Sequence, residues 1–282
     1  MKRAIFIILL ALPTFFVHAA ASARDLADII ASGKIRVAIA EEPFIPWLTR
    51  NGEGEPIGFE ADIAHDMADG LGVEVEFVET PFRDLIGLLT AGEADLIVSG
   101  LSITPERARR VLFSAPYGQS DLELVVANSR LPEGAADESY DMAGMRIAVV
   151  ADTTTEIEGR ERFPNSEIVT FPDLGAAQDA FLSGDVNAII AVKPYPAFIQ
   201  SMNPDEYVSP GDPLSSTVEA VAVGPADQRL LNYVNSWIAQ AIASGFLEEA
   251  THHWFETLDW VDQVPGLKEQ IDALQAEGSS NN

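Results

Sequence analysis

The sequence predicts a two-lobed α/β protein, with two α/β sheets joined by two hinge strands. Three observations point there. Buried-strand and helix patterns alternate along residues 35–99, the mark of a mostly parallel sheet. The same series of patterns restarts at residue 146. Two segments also match locally, LTAGEADLIV (89–98) and FLSGDVNAII (181–190): each is a helix end, a glycine stop and a buried strand.

The elements follow in order. Ile35 to Ile39 reads as the first buried strand. Ile63, Ala64, Met67, Ala68 and Leu71 recur at helical spacing, and Gly70 and Gly72 close that helix. Val73, Val75 and Phe77 alternate with glutamates in the period of a half-buried strand. Leu85 to Leu89 gives a helical turn or two ended at Gly92, and Asp95 to Ser99 returns as strand. The second half reads as strand 146–150, helix 154–162, strand 167–171, helix 174–182 and strand 188–192. Between the halves, the polar stretch 128–141 with Pro132 and Gly134 reads as surface loop. Thr217 to Val223 is β-like again, and a long helix follows with Leu230, Val234, Trp237, Ile238 and Ala241 on one face. Leu122–Val126 and Val218–Val223 are the expected hinge strands, and the helices of 227–258 are expected to pack back on the first lobe.

The resulting division is a signal segment (1–23), a first lobe (24–120 and 218–262), a second lobe (121–217) and a C-terminal tail (263–282). The signal reading rests on Lys2 and Arg3, an apolar run from Ala4 to Val17 and the Ala21-Ser22-Ala23 end. That run is short for a membrane span, which needs roughly 20 apolar residues. Cleavage is expected near Ala23, giving an exported chain with no further membrane insertion.

The formal charge is −27, and removal of Lys2 and Arg3 leaves 15 bases against 44 acids. Nucleic acid and anionic membrane surfaces are poor partners for such a chain. There is no cysteine, so disulfides, thiolate metal sites and a cysteine-borne lipid anchor are excluded. His252-His253 lacks a third metal ligand in the sequence, and helix neighbours point about 100° apart. No metal and no cofactor is expected. Phe246, Trp254, Phe255, Leu258 and Trp260 read as packing residues, and the acids at 41, 42, 53, 55, 74, 76 and 79 as solvated faces.

Residues 95–117 carry the most chemistry. A buried strand, Leu96 to Val98, runs into Ser99, Ser102 and Thr104, and a helical turn then brings up Arg107. Hydroxyls, free N–H groups and a guanidinium fork at the carboxyl end of a strand suit a small carboxylate. Arg109 and Arg110 read as surface residues.

Several motifs in register resemble the type-II periplasmic solute-binding proteins, family 3, which deliver amino acids to ABC importers. Gly58-Phe59-Glu60-Ala61-Asp62 is similar to the family's GFD-x-D segment, with Glu60 for the usual Asp. Ser99 to Arg107, backed by Phe113-Ser114-Ala115-Pro116-Tyr117, resembles the family signature. Asp152-Thr153-Thr154-Thr155-Glu156 resembles the turn that opens the second-lobe helix. The resemblance covers roughly residues 30–260 and implies a ligand clamped between lobes. It assigns Arg107 to the ligand carboxylate, with bonds from the N–H and hydroxyl of Ser102 and the carbonyl of Gly100. Thr153 and Thr154 would donate from a helix N-terminus, while Phe44 and Phe82 would form the apolar wall.

One departure concerns the family's ammonium-binding Asp, whose place reads Val192-Lys193-Pro194. Valine balances no charge, and an unpartnered buried ammonium would cost several kcal/mol. Asp152 and Glu41 are the candidate replacements. The resemblance implies a monomeric, non-enzymatic periplasmic receptor partnered by an ABC permease. The rival is an enzyme on the same scaffold, a cyclohexadienyl (prephenate/arogenate) dehydratase, which needs a general acid that the Val192 stretch does not supply.

Overall fold

The computed structural model describes residues 24–131, 142–269 and 271–273. The expected signal segment and most of the 128–141 loop lie outside them. The strands are β1 (Lys34–Ala40), β2 (Thr49–Arg50), β3 (Pro56–Ile57), β4 (Glu74–Thr80), β5 (Leu96–Ile97), β6 (Leu112–Ala127), β7 (Arg146–Val150), β8 (Glu167–Phe171), β9 (Ala188–Val192), β10 (Tyr207–Val208) and β11 (Ser215–Val223). The helices are α1 (Leu26–Ser32), α2 (Phe59–Leu71), α3 (Leu85–Thr90), α4 (Thr154–Arg162), α5 (Leu174–Ser183), α6 (Tyr195–Met202), α7 (Gln228–Ser244) and α8 (Phe246–Thr251).

The two lobes repeat one strand order. In the first it runs β4-β1-β5-β11, and in the second β8-β7-β9-β6. Within each lobe the first three strands are parallel and the long hinge strand lies antiparallel to the third. The local match between 89–98 and 181–190 has this physical basis. Gly92 and Gly184 both take left-handed φ (75° and 90°), each releasing a helix into the strand beside the hinge.

The two hinge strands pair with each other from Ser215↔Leu122 to Val223↔Leu112, so the ladder is continuous between lobes. The crossing is displaced from the expected hinge. Leu122–Val126 pairs with β9 throughout, and Ala222–Val223 pairs with β5. The chain therefore passes between lobes near residues 118–121 and 215–219. Register shifts in β11 fall right after that crossing, at Glu219/Ala220 and Ala220/Ala222.

Strand alternation sorts the cores. Val37 and Ile39 face one side of the first sheet with α2 and α7, and Ala38 faces the other with Leu85 and Leu89 of α3. Leu122, Leu124 and Val126 likewise face one side of the second sheet, Val125 and Ala127 the other. Helices thus cover both faces, as near-continuous apolar strands require.

The C-terminal helices return to the first lobe through tryptophan. The Trp254 and Trp237 indole N–H groups donate to Asp62 and Asp66 of α2, each at 2.6 Å. The Tyr233 hydroxyl donates to the Met67 carbonyl at 2.6 Å. Gly70 sits inside α2 rather than closing it; Gly72, with φ 69°, is the stop. Leu258 is exposed, and Leu267 and Ile271, in the one turn that the sequence offers within the expected C-terminal tail, pack against the first core.

Candidate ligand cleft

A cavity of about 130 Å³ lies between the lobes, on the crossing strands, with room for a small metabolite rather than a polymer. The first lobe contributes Phe44, Phe82, Gly100, Ser102 and Arg107 to its wall, and the second contributes Thr153, Thr154 and Val192. Eight of the nine expected site residues thus line one space. Phe44 stands parallel to Trp47 with ring centroids 6.1 Å apart, and the Arg107 guanidinium lies 5.6 Å from the Phe82 ring.

Arg107 is half-buried, whereas Arg109 and Arg110 are exposed. Its Nη1 donates to the Ser102 carbonyl at 3.0 Å, and its Nη2 donates to the Asp152 carbonyl in the opposite lobe at 3.2 Å. Burial pulls its pKa down from the ordinary value, with Glu106 acting the other way. A guanidinium so far up the scale stays charged. Its remaining donors face a cleft that holds no other cationic side chain.

Asp152 departs from expectation. Its carboxylate is exposed and outside the lining, because a left-handed backbone (φ 59°) turns its carbonyl toward Arg107 instead. Glu41 is also exposed and lines a neighbouring depression. Neither replaces the missing acid by facing the ligand space. The Lys193 ammonium points away to Asp121 and Glu123, 3.0 Å from each. Glu42, expected as a solvated acid, lines the cleft and accepts from the Phe82 N–H at 3.1 Å.

Thr153 caps α4: its Oγ1 accepts from the Thr155 N–H at 3.2 Å and donates to the Val150 carbonyl at 2.8 Å. With that hydroxyl occupied, Thr154 and the first-turn N–H groups are what the helix end offers an anion.

Two buried acids in the wall escaped the sequence reading as site residues, Glu60 and Glu219. Glu60 accepts from the Tyr117 hydroxyl at 2.5 Å and from the Gly100 N–H. Burial pushes its pKa up to about 8, against those two bonds, and Glu219 adds to the rise. Glu219 lies opposite Ser102 in an isolated antiparallel bridge. Burial raises its pKa to about 7, with the Thr217 and Ser120 hydroxyls pulling the other way. The Glu60 signal was present in the motif. Glu219 left none, since an acid in an alternating strand reads as solvent-facing.

The profile of the bacterial extracellular solute-binding proteins, family 3, matches residues 35–257. The chain belongs to this family. Among its relatives, the cyclohexadienyl dehydratase of Pseudomonas aeruginosa is 28% identical, over 81% of this chain and 85% of that one. The histidine-binding periplasmic protein of Salmonella typhimurium is 28% identical, over 79% and 88%. The crystal structure of an ancestral amino acid-binding protein, AncCDT-1, a precursor of cyclohexadienyl dehydratase, superposes with a TM-score of 0.72. It is 28% identical and covers 82% of this solute-binding protein and 98% of its own chain. This likeness is to type-II periplasmic binding proteins, the two-lobed class expected from the motifs. No helix among the described residues is long and apolar enough to cross a membrane.

Proposed function

We propose that this family 3 protein is the periplasmic receptor of an ABC importer, capturing an amino acid or related small carboxylate and delivering it to a membrane permease. One observation carries the reading. Arg107 stands in the interlobe cavity between Ser102 and the α4 turn, with one amine on each lobe's backbone. A carboxylate arriving there meets a guanidinium fork and the N-terminus of α4 from opposite sides, so binding favours the closed arrangement. The family and its amino-acid-binding members support the same ligand class. Export, signal cleavage near Ala23 and a monomeric state belong to this proposal, as does the lobe division at residues 120 and 217.

A thermal-shift screen of the chain from Arg24 onward against amino acids and small organic acids tests it. At least one carboxylate should raise the melting temperature, and Arg107→Ala should abolish that rise.

A second reading, a dehydratase-like enzyme, is favoured by the Pseudomonas relative and by two buried cleft carboxyl groups whose pKa values burial raises to about 8 and about 7. Such chemistry needs a general acid at the leaving group. The stretch from Val192 to Tyr195 has no acid, leaving only Glu60, Glu219 and the peripheral Glu42 and Asp173 in the cavity wall. Phenylpyruvate formed from prephenate, and lost in Glu60→Gln or Glu219→Gln, would replace the receptor reading with this one.

A further inference from the structure

Three buried polar atoms among the described residues lack a well-formed hydrogen bond, Trp47 Nε1, Ser120 Oγ and Glu219 Oε2, although the Ser120 hydroxyl stands close enough to the Glu219 carboxylate to favour its charge. All three residues line the same cavity. The coincidence is informative because buried polar groups are ordinarily paired, and an orphan costs free energy unless something fills the need. The other three of the four tryptophans each donate their indole N–H, to Asp66, Asp62 and the Thr257 carbonyl. Trp47 alone keeps its donor free, although the residue is 4% exposed.

The backbone places Glu219 deliberately. Ile103 N–H donates to the Val218 carbonyl at 2.9 Å and Ala220 N–H to the Leu101 carbonyl at 3.2 Å. These bonds flank the Ser102↔Glu219 pair, so the two residues face each other with Cα atoms about 4.5 Å apart and side chains on one side. One Glu219 oxygen is held by the Thr217 hydroxyl at 2.9 Å; the other is the orphan. Arg107 bonds the Ser102 carbonyl, so guanidinium and carboxylate flank the same residue. Val192, where the resemblance led us to expect an acid, lines the cavity and contributes none.

We infer that Glu219, with the Ser120 hydroxyl beside it and the Trp47 N–H on the same floor, is the subsite for a cationic nitrogen of the ligand. The inference rests on the receptor reading and deepens it: the ligand carries an ammonium or amine as well as a carboxylate. Glu219 Oε2 and Ser120 Oγ accept from the nitrogen, and Trp47 donates to a neighbouring acceptor atom. The counter-charge has moved from the second-lobe strand to the interlobe crossing of β11.

Isothermal titration of the chain from Arg24 onward tests this. The probes are the twenty standard amino acids, cadaverine, 6-aminohexanoate and 4-methyl-2-oxopentanoate, against wild type, Glu219→Gln and Ser120→Ala. For every amine-bearing probe that binds, Glu219→Gln should weaken affinity by about 30-fold or more, and Ser120→Ala by about fivefold. Binding of the amine-free oxo acid, where measurable, should change less than about threefold. Loss confined to probes with an α-ammonium identifies that group as the occupant, and equal loss with 6-aminohexanoate identifies a distal amine. If Glu219→Gln is poorly folded by circular dichroism, Ser120→Ala decides. Variants that bind amines within about twofold of wild type overturn the floor assignment and leave the receptor reading standing. If no probe binds wild type, the amino-acid reading falls and the subsite with it.

Discussion

Arg107 and the buried acids make separable predictions. Removing the guanidinium deletes a charge-assisted bond partner from a partly dried site, so Arg107→Ala should weaken carboxylate binding by about 100-fold or more in calorimetry. The melting temperature of the empty protein should move little, because Arg107 makes only two bonds to protein carbonyls. Glu60 and Glu219 act on stability. Their folded pKa values, about 8 and about 7, lie above the 4.5 of an ordinary glutamate. The folded empty protein therefore binds more protons than the unfolded chain between those values, and stability falls as pH rises through that window. This contribution is complete below pH 4.5 and lost above 8. Against a Glu60→Gln/Glu219→Gln variant, wild type should lose at least about 3 °C of relative melting temperature between acidic and alkaline buffer. A constant difference across that range would falsify the burial of the two carboxyls. Asp95 works in the opposite sense. Burial alone would raise its pKa, but Arg24 and Arg36 grip it and hold it low.

Among the elements, the start of α2 is the sensitive joint. Gly58 has φ 132°, and a methyl group there would sit 2.5 Å from the Trp47 carbonyl oxygen. Two conflicts coincide at this residue, a backbone conformation that side chains avoid and a collision with backbone. Gly58→Ala should cost about 2–3 kcal/mol in urea unfolding. It should also weaken ligand binding, because Glu60 N–H donates to that same Trp47 carbonyl at 3.0 Å and both residues line the cleft. At the other wall, Thr153→Ala removes the α4 cap and should destabilise the protein by about 1 kcal/mol. Thr153→Ser keeps the capping oxygen and should restore most of it, as chemical denaturation would show.

For the molecule as a whole, two crossing strands join the lobes and one guanidinium spans the space between them. A rotation at 118–121 and 215–219 would leave each lobe's core intact, since the apolar clusters separate on either side of that line. Ligand binding should therefore reduce the radius of gyration in small-angle scattering, and the same ligand should leave Arg107→Ala at its unliganded size. Glu219 and Ser120 sit on the crossing itself, so a ligand nitrogen held at the proposed subsite would touch the strands that join the lobes.

Periodicity and caps alone specified much of this protein. The α4 bounds and the β7, β8 and β9 strands were readable because helix spacing and strand alternation are local effects. Arg107 was separable from Arg109 and Arg110 because hydroxyl residues precede it. Glu219 was not legible: within Thr217 to Val223 its side chain looks solvent-facing, and only the tertiary pairing with Ser102 and the packing around it bury it. The Asp152 carboxylate failed as a ligand candidate for a related reason, a single left-handed residue that exchanges side chain for carbonyl at the cleft. Short-range order is written in neighbours along the chain. Which charges lose their water is decided by residues far apart in it, and only the assembled lobes determine that.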